Sequence, residues 1–214
     1  MITTALSAFL LVQVGGTAKL RVMHGTKQTG TATITQKLNA QGDKLVFLTF
    51  DLTSPDGKSS ARLRTETTYR SDGSPTRMFH EMTYGEAKKR RQVTVSFSTA
   101  GARAVVDDSG ARNVKEAPLA SPALMKDLSE FWFLRDQPKV GTTISSYHFD
   151  TTALDWSMVE NKYLGKQNIS WNGQTISAHK VKSQRAVSYL DDLGLPLRIE
   201  LEEGFMERIP EPKS

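Results

Sequence analysis

The sequence predicts a mostly β protein: one long antiparallel, strongly curved sheet of roughly ten to thirteen strands, with a single amphipathic helix packed on it. Three observations carry that expectation. Turn residues recur at short intervals, apolar and polar residues alternate between them, and the alternation breaks once, at residues 121–134.

The turn signals are Gln41-Gly42-Asp43, Pro55-Asp56-Gly57, Ser71-Asp72-Gly73-Ser74-Pro75, Gly85-Glu86, Asp107-Asp108-Ser109-Gly110, Asn172-Gly173 and Asp191-Asp192-Leu193-Gly194. Gly and Asn tolerate positive φ, and Asp caps the turning backbone, so these segments reverse the chain. Between them, Ala61, Leu63, Thr65, Thr67 and Tyr69 oppose Arg62, Arg64, Glu66 and Thr68. Val93, Val95 and Phe97 alternate with Thr94 and Ser96, as Leu197, Ile199 and Leu201 do with Arg198, Glu200 and Glu202. A two-residue period buries one face and wets the other, the pattern of antiparallel strands. Lys44 to Leu52 is apolar on both faces near its start, which predicts a central position or cover by the helix.

Ser121-Pro122 supplies an N-cap and a proline at the first helical position, where a missing N–H costs nothing. Leu124, Met125, Leu128, Phe131 and Trp132 then form one stripe, with Lys126, Asp127 and Glu130 off it. The spacing predicts a helix over 122–134, lying across the concave face of the sheet to cap a core or plug a groove.

Composition narrows the class. The chain has 214 residues, 38% hydrophobic and 24% charged, a globular balance. A net charge of +5 is too small and too dispersed to identify an anionic partner. With no cysteine, disulfides, thiolate catalysis and cysteine-ligated zinc are excluded. The run from Ala5 to Val14, followed by Gly15-Gly16-Thr17-Ala18, is shorter than the about 20 residues of a membrane-spanning helix. It fits a secretory signal peptide over 1–18, cleaved after Ala18, with only the α-amino charge before it. Residues 19–214 then form a single β-rich domain, periplasmic or secreted.

The candidates for chemistry are few. His24, His80, His148 and His179 lie on separate strand-like runs without a short-spaced pair, so no metal site is expected. No nucleophile motif or phosphate loop is present, and no cofactor or enzymatic activity is expected. Lys88-Lys89-Arg90-Arg91 is a candidate anion-binding run for phosphates or lipid headgroups, or else a solvated strand start that guards a sheet edge. Without interleaved aromatics or a recognition motif, nucleic acid is not an expected partner.

Leu128-Ser129-Glu130-Phe131-Trp132-Phe133-Leu134-Arg135, then Lys139-Val140-Gly141-Thr142-Thr143, resembles the helix-to-strand passage of a bacterial cell-envelope family, domain of unknown function 3108. The stretch Val159 to Leu164, the Trp171-Asn172-Gly173 turn leading to Ala178-His179-Lys180-Val181, and Tyr189 to Ile199 extend the similarity over residues 120–202. The last stretch is similar also to the closing strands of lipoprotein-carrier-like half-barrels. The resemblance implies an exported, β-rich open half-barrel around a helix, with no catalytic residue to carry over.

Together these readings predict a non-enzymatic binding protein. It would hold a lipid, acyl chain or hydrophobic peptide between sheet and helix, with Leu128, Phe131, Trp132 and Trp156 as candidate lining. The alternative is a structural or interaction module of the envelope, filled inside, with a protein partner. Contact with a membrane surface is compatible with either.

Overall fold

A computed structural model describes residues 15–39, 41–85, 89–119, 132–184 and 186–210. The first arm comprises β1 (Gly16–His24), β2 (Lys27–Leu38), β3 (Lys44–Thr53), β4 (Ser60–Tyr69), β5 (Pro75–Tyr84), β6 (Lys89–Ser98), β7 (Gly101–Asp108) and β8 (Ala111–Pro118). A short helix α1 (Trp132–Asp136) leads into the second arm. That arm comprises β9 (Thr143–Asp150), β10 (Asp155–Trp171), β11 (Gln174–Ser183), β12 (Ala186–Leu190), β13 (Pro196–Leu201) and β14 (Gly204–Arg208).

Consecutive strands pair antiparallel within each arm, and β1 pairs with β14, whereas β8 and β9 are the two edges of the sheet. The order is therefore β8 back to β1, then β14 back to β9, with the first and last strands joined in the middle. Leu20 sits opposite Ala32 on one side and Arg208 on the other. The described residues of the turn segments fall at the ends of strands or between them; Asn172 and Gly173 take φ of 49° and 73°, and Ser109 and Gly110 take 53° and 98°. Such consecutive positive φ values match the right-handed twist of a two-residue hairpin. Gly204 has a different reason: a Cβ there would meet the Met23 carbonyl oxygen at 2.0 Å, so only glycine lets β14 dock on β1.

One expectation needs correction. Among the described residues the sheet has 14 strands, beyond the range of ten to thirteen. The excess comes from short strands such as β14, five residues long, whose hairpin with β13 turns at Glu202-Glu203 without a strong turn signal. The described helix spans Trp132–Asp136, and most of the expected span 122–134 lies outside the described residues. At its end Gln137 takes a φ of 43° and its N–H donates to the Phe133 carbonyl at 3.0 Å, a left-handed C-terminal cap that follows Asp136. Its described residues pack through Trp132 and Phe133 against Val181 and Leu190, with Ile144 and Tyr163 alongside, over β9–β12.

The sheet is curved so that its two ends approach without pairing. Val93, Val95, Phe97, Ala102, Ala104, Val106 and Ala117 of β6–β8 form one core with Phe149 of β9, and Tyr147, Leu154 and Trp156 pack against it. Phe97 lies edge-on to Phe149 at 6.0 Å and against Trp156 at 5.8 Å. The Trp156 indole N–H donates to the Ala117 carbonyl at 2.9 Å, bridging β10 to the edge strand β8. A second core, Ala18, Leu20, Ala32, Ile34 and Leu195, sits where the chain ends meet. Ala18 and Leu20 are 0% exposed there, so the expected cleavage point after Ala18 falls inside β1.

Candidate functional site

Cross-strand register places Val46, Thr67 and Met78 in one row of the concave face, and Leu48 and Thr65 in the next. Facing them across the interior are Tyr147, His148, Phe149, Trp156, Val159, Asn161 and Ser183. Between the two sets lies an open cavity of about 400 Å³. A smaller one of about 230 Å³ continues into the second arm, lined by Val181, Ala186, Ser188, Ile199, Leu201 and Met206, and sharing Asn161 and Ser183 with the first. This size and mixed apolar lining are those of a small-molecule site.

None of the described lining residues is Asp, Glu, Lys or Arg. His148 is the titratable imidazole among them. Although part of its surface opens on the cavity, surrounding protein desolvates the ring and holds its pKa below the usual value, against the pull of Asp150. His80, on β5, is lowered for the same first reason and further by Arg91, with Asp150 opposing; its Nδ1 lies 3.2 Å from the Thr65 hydroxyl. Asp150 itself caps the following turn, accepting from the N–H groups of Thr152 and Ala153 at 2.7 and 3.0 Å.

The polar groups of this interior differ in how they are satisfied. Gln36, 2% exposed, donates to the Leu193 carbonyl at 3.1 Å, and Ser183 donates to the Ala186 carbonyl at 3.3 Å. Asn161 is 7% exposed, and its carboxamide makes no side-chain hydrogen bond among the described residues; unlike Trp132 Nε1 and Arg198 Nε, which are sealed from solvent without a partner, it borders open space. Glu160-Asn161-Lys162 reads as an exposed polar triplet, so no signal in the sequence marks Asn161 as interior.

A second polar chain lies beneath α1. The Tyr163 hydroxyl is 2.9 Å from His179 Nδ1, and His179 Nε2 is 3.0 Å from Asp192 Oδ1, which also accepts from Lys166 at 2.7 Å. A neutral ring protonated on Nε2 satisfies both contacts, with the phenol donating to Nδ1. Phe133 stacks on Tyr163 with centroids 5.6 Å apart and planes 6° apart, and it lies 4.7 Å from the imidazole. Both ring nitrogens are occupied, so the group ties β10 and β11 to the turn at 191–195 and seats α1. The Lys166 ion pair holds the Asp192 carboxyl below the usual carboxylate range.

The residues expected to form a site are dispersed. Trp156 borders the larger cavity, whereas Trp132, 1% exposed, is core beneath α1. Leu128 and Phe131 lie outside the described residues, as does Lys88. The basic run follows strand alternation: Arg90 pairs with Glu81 at 2.6 Å, while Arg91 points to the other face, near His80. Lys89 is exposed at the start of β6. No group of three His, Asp or Glu side chains suited to a metal ion is present among the described residues.

Comparison with known proteins places the fold. No family model matches the chain, and no curated protein does. Among solved structures, the chain is similar to a β-barrel-like protein of domain of unknown function DUF1849 from Brucella abortus. That match has a TM-score of 0.51 at 10% identity, covering 91% of this chain and 95% of that one. The fold is β-barrel-like. A DUF1089 family protein from Pseudomonas aeruginosa aligns over 80% of this chain and 89% of its own, with 11% identity and a TM-score of 0.42.

Proposed function

We propose that the protein is an exported, non-enzymatic binding protein that holds an apolar or amphipathic ligand inside the rolled sheet. The observation that carries this is the open cavity of about 400 Å³ against Phe97, Tyr147, Phe149 and Trp156, free of formal charge among its described lining residues. Apolar and aromatic walls reward displacement of water, and the antiparallel scaffold holds them in place. The site lies between the arms of the sheet, so the ligand sits against β9 and β10 rather than under the helix.

Kinship with the cell-envelope family 3108 and export belong to the same reading. They are supported by the apolar run Ala5 to Val14 and by the strand–turn–strand passage from Tyr189 to Ile199. Since Ala18 is buried in β1, removal of a leader before Gly16 keeps that strand intact. The test is native mass spectrometry of protein purified from the envelope of its own host, with N-terminal sequencing. A copurified lipid mass and a mature terminus at or before Gly16 support the proposal. Protein that is ligand-free and binds no apolar dye overturns it.

One observation favours an envelope interaction module instead: β8 is a sheet edge with Val114 52% exposed. Charged Arg112, Lys115 and Glu116 share that strand, a composition that discourages indiscriminate edge pairing.

A further inference from the structure

We infer that Asn161 is the polar anchor of the cavity, and that the ligand is an uncharged amphipath whose hydrogen-bonding head meets this carboxamide. The inference rests on the binding reading above and adds the chemistry of the ligand.

Asn161 stands where the two cavities join, directly across the β10–β11 ladder from Ser183. The residue is more than nine-tenths buried, and its carboxamide, which makes no side-chain hydrogen bond among the described residues, stays open to the cavity side and is not sealed off as Trp132 Nε1 and Arg198 Nε are. Asparagine is disfavoured in strands and brings two donors and an acceptor. A head able both to donate and to accept, such as an alcohol, ester or amide, satisfies it. The hydroxyls of Thr67 and Ser188, 6% and 8% exposed, likewise make no side-chain hydrogen bond among the described residues and border the same space.

The charge distribution decides between heads. A carboxylate or phosphate buried here would meet no Lys or Arg among the described lining residues, and an ion taken from water without a counter-charge is strongly disfavoured. The formal charge that acts on His148 is the carboxylate of Asp150, which repels an anion. A neutral head incurs neither penalty. Its apolar part then lies along Phe97, Phe149 and Trp156, away from the polar junction.

The experiment is calorimetric titration of the full chain at pH 8 with 1-monolauroyl glycerol and with laurate, which share a chain and differ in head charge. An apolar fluorescent dye serves as a control for the cavity itself. The expected result is at least tenfold tighter binding of the monoacylglycerol than of laurate. Asn161→Leu should lose about tenfold in monoacylglycerol affinity while keeping its dye affinity and its circular dichroism spectrum. Should that variant fail to fold, Asn161→Ala reads the same loss. Equal or tighter binding of laurate overturns the neutral head. Unchanged monoacylglycerol affinity in a folded Asn161 variant overturns the anchor while leaving the cavity reading intact. If the wild-type chain binds neither lipid nor dye, the binding reading and the anchor both fall.

Discussion

The two arms of the sheet use the same antiparallel ladder to opposite ends. In the first arm, β5–β8 fill their concave face with Met78, Val93, Val95, Phe97, Ala102, Ala104 and Val106, most of them nearly inaccessible. In the second, β10–β13 present Asn161, Ser183 and Ser188 among aliphatic neighbours and leave space between them. Small and β-branched side chains at consecutive rungs close-pack, and each buried methylene adds to stability. Polar side chains at corresponding rungs give up that gain and retain a place for something else. β6–β8 thus read as scaffold, whereas the second arm, together with β3–β5 facing it, reads as the wall of a site.

The contrast breaks most sharply at the seam. Phe97→Ala removes the ring that touches both Phe149 and Trp156, and should cost about 3–5 kcal/mol in chemical denaturation. Trp156→Phe keeps an aromatic ring but strands the Ala117 carbonyl; a loss of about 1–3 kcal/mol is expected, together with faster amide exchange in β8. In the second arm the sign reverses. Asn161→Leu replaces an unpartnered amide with an isosteric apolar group and should leave stability unchanged or raise it by about 1 kcal/mol, read as a higher denaturation midpoint.

The smallest expected effect is titrational. His80 has a folded pKa below its unfolded value, mainly through burial. The unfolded chain therefore takes up its proton first as pH falls. Stability contributed by the neutral ring is present above about pH 6.5 and declines below it until the folded pKa is passed. His80→Gln should flatten that part of the stability–pH curve. A His80→Gln curve that still follows the wild type through this window would assign the dependence elsewhere.

The first arm was largely legible in the sequence. Alternation at Val93, Val95 and Phe97 and the Gly-Asp turns reported local preferences that the fold keeps, because each face has one solvent. The apolar stretch of β3 lies, as its two apolar faces suggest, between β2 and β4 inside the sheet. The second arm was less legible. Its short strands β12 and β14 owe their existence to neighbours already in place, β14 docking on β1 almost a chain length away. The site was hidden for a related reason. Trp156 stood out as a large aromatic, but Asn161 between Glu160 and Lys162 looks like surface, and only the rolling of the sheet turns it inward. Likewise His80 and His148, far apart in sequence, come under the influence of one carboxylate, Asp150, only when β9 folds against the first arm.

The central claim is that the cavity between the arms is the binding site. Filling it tests this directly: Val159→Trp places an indole into the space bordered by Phe149, Trp156 and Asn161. Titration of an apolar fluorescent dye should give saturable one-to-one binding to the wild-type chain and at least a tenfold loss in a Val159→Trp protein of unchanged circular dichroism. Dye binding that survives the filled cavity at full affinity, or is absent from the wild type, would contradict the account.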